Sequence, residues 1–189
     1  MQSNTEAEFR TLLTKEEYRR LYEQFKSHSI DVQTNHYFDT ARFSLKATDT
    51  SLRVRERENL ELTLKKKKGY NMQHFSLEIT KEELQSIRET GLLPEGEIAS
   101  EIKSIIGEQK INNFMSLSTE RMVFPYKNGY LFIDKNHYLG FVDFELTYIA
   151  KTYHTGKKEF IEIIYDLGIQ YKKAEKKIKR AYNALRRVL

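Results

Sequence analysis

Charged side chains recur at every second position in several separate stretches of this chain, and the positions between them are largely apolar. Glu6, Glu8 and Arg10 form one such series, Arg53, Arg55 and Arg57 a second, and Glu61, Thr63, Lys65 and Lys67 a third. Glu78 stands between Leu77 and Ile79, and Asp143 and Glu145 alternate with Val142, Phe144 and Leu146. Successive side chains of a β-strand point to opposite faces, so each stretch reads as a strand with one charged and one apolar face. One arrangement is a one-sided antiparallel sheet with a wet outer face. The other is a sheet curled so that the charged faces point inward. The outward apolar faces would then need a cover of amphipathic helices. Grouping of arginines on one strand and carboxylate pairs on others favours the curled form, because a merely solvated face would scatter its charges.

The helices needed for that cover are present. Thr14 with Glu17, and Thr80 with Glu83, are capping-box pairs, in which each side chain satisfies a backbone N–H at the helix start. The first helix carries Tyr18, Leu21, Tyr22 and Phe25 at helical spacing and should end near His28, and the second should stop at Gly91. Ile98, Ile102, Ile105 and Ile106 predict another helix before Gly107, Phe160 to Tyr165 one more before Gly168, and residues 173–189 a basic one. Strands are expected at 4–12, 32–38, 52–55, 60–66, 75–80, 117–126, 130–138 and 141–153, with turns at 68–71, at Asn128-Gly129 and near Gly140. The reading is an α+β fold in which an eight-stranded antiparallel barrel forms a tunnel with a charged interior and helices packed outside. The 189 residues are expected to make a single domain, 1–189.

The chain has no cysteine, so disulfides and thiolate metal sites are excluded and any metal must take carboxylate, His or water ligands. That set favours hard cations, Mg²⁺ or Mn²⁺. The histidines at 36, 74, 137 and 154 have no metal-ligand spacing and read as structural or surface residues. No apolar run is long enough to cross a bilayer and the start lacks a signal-peptide pattern, which predicts a cytoplasmic protein without a membrane partner. The net charge is +5, and the seventeen residues from Lys173 onward hold seven Lys or Arg against one acid, Glu175. An anionic partner fits. Nucleic acid is not the expected one: within the 65–68 lysine run, a strand turns only Lys65 and Lys67 to the charged face, and Tyr171 and Tyr182 read as core residues. Paired carboxylates from two strands would hold a divalent ion, while Arg53 and Arg55 would bind phosphate oxygens through planar forks and Lys65 would add a point charge.

These residues also occur in the order of a known family. The sequence resembles the CYTH, or triphosphate tunnel metalloenzyme, superfamily, and within it the bacterial CYTH-only subgroup. Glu6-Ala7-Glu8-Phe9-Arg10 stands where that family has Glu-x-Glu-x-Lys, with Arg for Lys. Tyr37-Phe38-Asp39-Thr40, Leu52-Arg53-Val54-Arg55, Leu62-Thr63-Leu64-Lys65, Glu78, Arg121, Asp134 and Asp143-Phe144-Glu145 follow in family order, the last with Asp for Glu, and Lys177-Ile178-Lys179-Arg180 matches the closing Lys-x-x-Arg. The resemblance implies divalent-metal-dependent hydrolysis of a triphosphate, inorganic or organic, with Mg²⁺ or Mn²⁺ as cofactor and a small-molecule triphosphate as partner. It also implies roles: Glu8, Arg10 and Glu145 catalytic; Arg53, Arg55, Lys65, Arg121, Lys177 and Arg180 for the triphosphate; Glu6, Glu8, Glu78, Asp134, Asp143 and Glu145 for the metal. Cyclisation of ATP, as in the family's adenylate cyclases, and a non-catalytic polyphosphate- or nucleotide-binding module are the alternatives.

Overall fold

The computed structural model describes residues 6–69 and 71–188. The expected strand positions 4 and 5, Tyr70 of the expected turn and the final Leu189 lie outside the described residues. Eight strands and six helices follow one another: β1 (Ala7–Leu13), α1 (Lys15–Phe25), β2 (Ile30–Thr40), α2 (Ser44–Ala47), β3 (Thr50–Glu56), β4 (Leu60–Lys68), β5 (Asn71–Ile79), α3 (Lys81–Thr90), α4 (Glu97–Ile106), β6 (Ile111–Tyr126), β7 (Gly129–Tyr138), β8 (Phe141–Ala150), α5 (Tyr153–Asp166) and α6 (Lys177–Val188). The strands form one antiparallel sheet in the order β1-β8-β7-β6-β2-β3-β4-β5. The α+β class with eight antiparallel strands is therefore as read from the pattern. No described helix is long and apolar enough to cross a membrane.

The chain divides into two compact units. The first comprises residues 1–32 and 118–189, the second residues 33–117. In the first unit, β1 pairs with β8 (Arg10 opposite Thr147, Leu12 opposite Glu145) and β8 with β7 (Asp134 opposite Glu145, Asn136 opposite Asp143). The apolar sides of these strands contribute Leu13, Leu131, Ile133, Leu146 and Tyr148 to a core completed by Leu21 of α1 and Phe160, Ile163 and Ile164 of α5. Helix α5 lies close to the sheet because residue 156 is glycine: a Cβ there would come within 2.5 Å of the Ala150 Cβ and 2.7 Å of the Phe9 ring. Both expected capping boxes form, Thr14 with Glu17 and Thr80 with Glu83, each with the two reciprocal hydrogen bonds. Each such cap stabilises its helix by about 1 kcal/mol.

In the second unit, Phe38, Leu52, Val54, Leu60, Leu62, Leu64 and Ile79 pack against Leu84 and Ile87 of α3 and Ile98, Ile102 and Ile106 of α4. Within each unit the apolar strand faces are the ones covered by helices, as the curled arrangement requires. Several boundaries differ from the sequence reading, among them the start of β5, at Asn71 rather than 75. β6 starts at Ile111, before the expected 117, and β8 stops at Ala150 so that α5 begins at Tyr153. The last helix begins at Lys177 rather than at 173, because residues 172–173 run along β1 instead: the Leu12 N–H donates to the Lys172 carbonyl and Thr11 bridges Lys173. The short α2 was not anticipated at all.

Helix α2 exists because of one carboxylate. Buried Asp39 accepts hydrogen bonds from the backbone N–H groups of Thr40 (2.7 Å), Leu45 (2.9 Å) and Lys46 (3.0 Å). The Thr40 hydroxyl accepts from the Ser44 N–H at 3.1 Å. The Tyr-Phe-Asp-Thr stretch thus shapes the turn from β2 to β3.

Candidate active site

On the polar side of the first unit, β6, β7, β8 and α6 bring acids and cations together. Asp134 is fully buried and takes both of its oxygens to Arg121, with Nε on Oδ1 at 2.7 Å and Nη2 on Oδ2 at 2.8 Å; the Lys177 ammonium also binds Oδ2. The Arg121 guanidinium lies over the Phe132 ring, 4.9 Å from its centroid, a cation–π contact that fixes the plane of the fork. Burial alone would raise the Asp134 pKa, but the Arg121 hydrogen bond and the charges of Lys177 and Arg121 outweigh it and hold the carboxyl below its ordinary value. Burial works against the charge on Lys177 too, and together with Arg121 it lowers the ammonium pKa despite Asp134.

One turn further along α6, Arg180 reaches the next two acids. Its Nε donates to Asp143 Oδ2 at 2.8 Å, Nη2 to Asp143 Oδ1 at 3.2 Å and Nη1 to Glu145 Oε2 at 2.6 Å. Burial disfavours the Arg180 charge, yet the bonds to Asp143 and the charge of Glu145 more than reverse that and raise its pKa. Tyr138 donates to Asp143 Oδ2 at 2.5 Å, and burial plus that bond push its phenol up to about 12. Glu8 and Arg10 on β1 pair with each other. The Arg121 charge is favoured, against burial, by Asp134 first and by Glu145 and Glu8 after it. Glu6 lies just before β1 and is exposed.

In the second unit the register aligns Asn35, Arg55, Glu61 and Glu78 in one row across β2 to β5, and Tyr37, Arg53, Thr63 and Ser76 in the next. Lys65 lies opposite Ser51 and His74. Arg55 stands 3.6 Å from the Glu61 carboxylate, and its pKa is lowered by burial and by the neighbouring Arg53 charge. Among the described residues, Asn35 Oδ1, Arg53 Nε and Thr63 Oγ1 are buried without a hydrogen-bond partner, which marks these two rows as polar ground not satisfied by the protein alone.

Of the residues singled out from sequence, Arg121, Asp134, Asp143, Glu145, Lys177 and Arg180 meet in the first unit, with Glu8 and Arg10 on β1 and Glu6 just before it; Arg53, Arg55, Lys65 and Glu78 share the polar face of the second. Several residues were missed. Asn136 and Tyr138 share a face with Asp134 by simple alternation, and by the same rule Thr147 shares one with Glu145 and Thr119 with Arg121, a signal present in the sequence. Tyr171, expected in the core, is 59 % exposed and lines a groove of about 740 Å³ with Tyr153, Ile161 and Tyr165; the segment that carries it lies along β1 rather than inside a helix. Among the described residues no three His, Asp or Glu side chains stand close enough to hold a metal ion. His36 is buried between Ser116 (2.8 Å), Glu56 (2.9 Å) and Arg88, and burial lowers its pKa.

With the fold and this constellation of acids and cations described, the comparisons with known proteins give the class. The CYTH domain model matches residues 4–182, and the chain belongs to the CYTH family. YjbK of Bacillus subtilis (strain 168), provisionally named a triphosphatase, is 29 % identical over 193 residues, covering 99 % of each chain. Among solved structures, a protein of Bacillus halodurans provisionally called an adenylate cyclase is 30 % identical with a TM-score of 0.74, over 93 % of this chain and 96 % of its own. HpAC1 of Hippeastrum, a protein reported to have a dominant triphosphatase activity, superposes with a TM-score of 0.73 at 17 % identity, over 95 % of this chain and 96 % of its own.

Proposed function

We propose that this chain hydrolyses a triphosphate with the help of a divalent cation, Mg²⁺ or Mn²⁺, releasing phosphate. The observation that carries the reading is the pair of cations Arg121 and Lys177 set against Asp134, with Glu145 opposite Asp134 on the same polar face. The family, and the provisional name of YjbK, support a triphosphate as the substrate. In the first unit Arg121 and Lys177 are the proposed phosphate ligands; the polar face of the second unit carries Arg53, Arg55 and Lys65, whose charges suit phosphate oxygens in their own right. Guanidinium forks match phosphate oxygens in pairs.

The donor chemistry fits a hard cation. Carboxylates are the oxygen ligands such ions take, and among the described residues Glu145 Oε1 accepts one hydrogen bond, from the Thr147 hydroxyl at 3.2 Å. Glu8 and Glu145 are the residues that would hold the ion, with phosphate oxygens and water as its further ligands, and when bound it would neutralise charge on the phosphate oxygens. Glu8 and Glu145 orient the attacking water and accept its proton. Arg10 stays protonated throughout, so it acts by its charge and not by proton transfer. Most of the rate enhancement then comes from positioning and charge neutralisation.

The test is Mg²⁺- or Mn²⁺-dependent turnover of tripolyphosphate, ATP, GTP and thiamine triphosphate, resolving phosphate from pyrophosphate and cyclic nucleotide. Phosphate release should dominate, and Glu8→Gln should reduce it by about 100-fold. Unchanged turnover in that variant would remove the site, and pyrophosphate with cyclic nucleotide would replace hydrolysis by cyclisation.

A further inference from the structure

We infer that Asp143 and Arg180 form a fixed internal pair that fastens α6 to the sheet, and that neither is a ligand: Asp143 does not hold the metal and Arg180 does not hold phosphate. The metal half of this inference rests on the function proposed above.

The inference comes from counting hydrogen-bond capacity. A carboxylate offers about four lone-pair positions. On Asp143 all four are taken: Oδ1 accepts from Asn136 Nδ2 at 2.9 Å and Arg180 Nη2 at 3.2 Å, and Oδ2 from Arg180 Nε at 2.8 Å and the Tyr138 hydroxyl at 2.5 Å. The Asp143 carboxylate accepts only, so Asn136 turns Nδ2 toward it, and the hydroxyl of the fully buried Thr119 then donates to Asn136 Oδ1 at 2.8 Å. A metal ion at Asp143 would therefore have to displace at least one of these four donors.

Arg180 is similarly committed. Besides the three bonds to Asp143 and Glu145, its Nη1 donates to the Glu175 carbonyl at 2.5 Å, and its side chain is only 10 % exposed. A guanidinium has five N–H donors, of which four are in use. Ala181, next in the chain, is fully buried, so the arginine sits where α6 meets the rest of the unit. Glu145 differs from Asp143 in the relevant respect: it receives one N–H from Arg180 and one hydroxyl from Thr147, leaving about half its capacity free. At this point in the sequence the family's second Glu is retained and the first is Asp. The shorter acid has become an anchor.

The experiment compares Asp143→Asn and Glu145→Gln by Mn²⁺ binding, read by electron paramagnetic resonance, and by amide hydrogen exchange over residues 177–188. Glu145→Gln should weaken Mn²⁺ at least about tenfold, whereas Asp143→Asn should leave the affinity within about twofold. Asp143→Asn should in turn speed exchange in α6 by about tenfold or more. Loss of Mn²⁺ in Asp143→Asn equal to that in Glu145→Gln, or α6 exchange that does not move, overturns the inference. Should Asp143→Asn fail to fold, Arg180→Met gives the same two readings with the same expectations. A wild-type chain that binds no Mn²⁺ would end the metal reading of the proposed function, and the exchange measurement would still decide the anchoring.

Discussion

Replacing Asp134 by asparagine would keep the shape of the side chain and remove its charge from between two cations. The carboxyl is wholly buried, while Arg121 and Lys177 retain 21 % and 18 % exposure. Removing one partner of a buried pair costs about 3–5 kcal/mol, because the other charge is left without compensation. Partial exposure of both cations screens the loss, which places the expected value at the lower end, about 3 kcal/mol. For a chain of this size that corresponds to a fall in Tm of about 6–12 °C. The pH dependence follows from the direction of the Asp134 shift. Its folded-state pKa lies below the ordinary value, so its contribution is complete above the unfolded carboxyl pKa of about 3.9 and disappears as pH falls through the folded one. The gap between wild type and Asp134→Asn in urea unfolding, followed by circular dichroism, should be constant from neutral pH down to about 5 and close in stronger acid. A variant within about 1 kcal/mol of wild type at pH 7, or a gap undiminished in strong acid, would refute the reasoning.

Two further outcomes are expected. Arg55→Lys exchanges a planar fork for a point charge at a half-buried position and should raise the KM for tripolyphosphate about tenfold with little change in Tm, as measured by steady-state kinetics and a thermal scan. Asp39→Ala leaves three backbone N–H groups of the β2–α2 turn without their acceptor, and should destabilise the second unit by about 2 kcal/mol and expose residues 40–50 to limited proteolysis.

The parts of the fold that depend on local pattern were readable from sequence. Period-two alternation located all eight strands, and the Thr-x-x-Glu pairs located the starts of α1 and α3 to the residue. The failures share a cause: each depends on contacts made at a distance along the chain. Helix α2 has four residues and no periodicity, and it forms because Asp39 folds back on its N–H groups. The start of α6 is set by the pairing of residues 172–173 with β1. For the site, the acids and cations could be named but their partners could not. Alternation says that Asp143 and Glu145 share a face; only the β7–β8 register puts Asn136 beside Asp143, and only the docking of α6 assigns Arg180 to both acids.

The two ends of the chain meet in the first unit, where β1 from residues 7–13 lies between β8 and the segment at 172–173. Residues 33–117, by contrast, form the second unit from one uninterrupted stretch. On a ribosome the second unit can assemble as soon as its own residues have emerged, but β1 must wait as an unpaired strand until β8 has been made. Long-range pairing of this kind slows folding and leaves an edge open to wrong partners in the meantime. The alternating charges Glu6, Glu8 and Arg10 then act before any chemistry begins, since a nascent strand with charged positions resists joining another copy of itself.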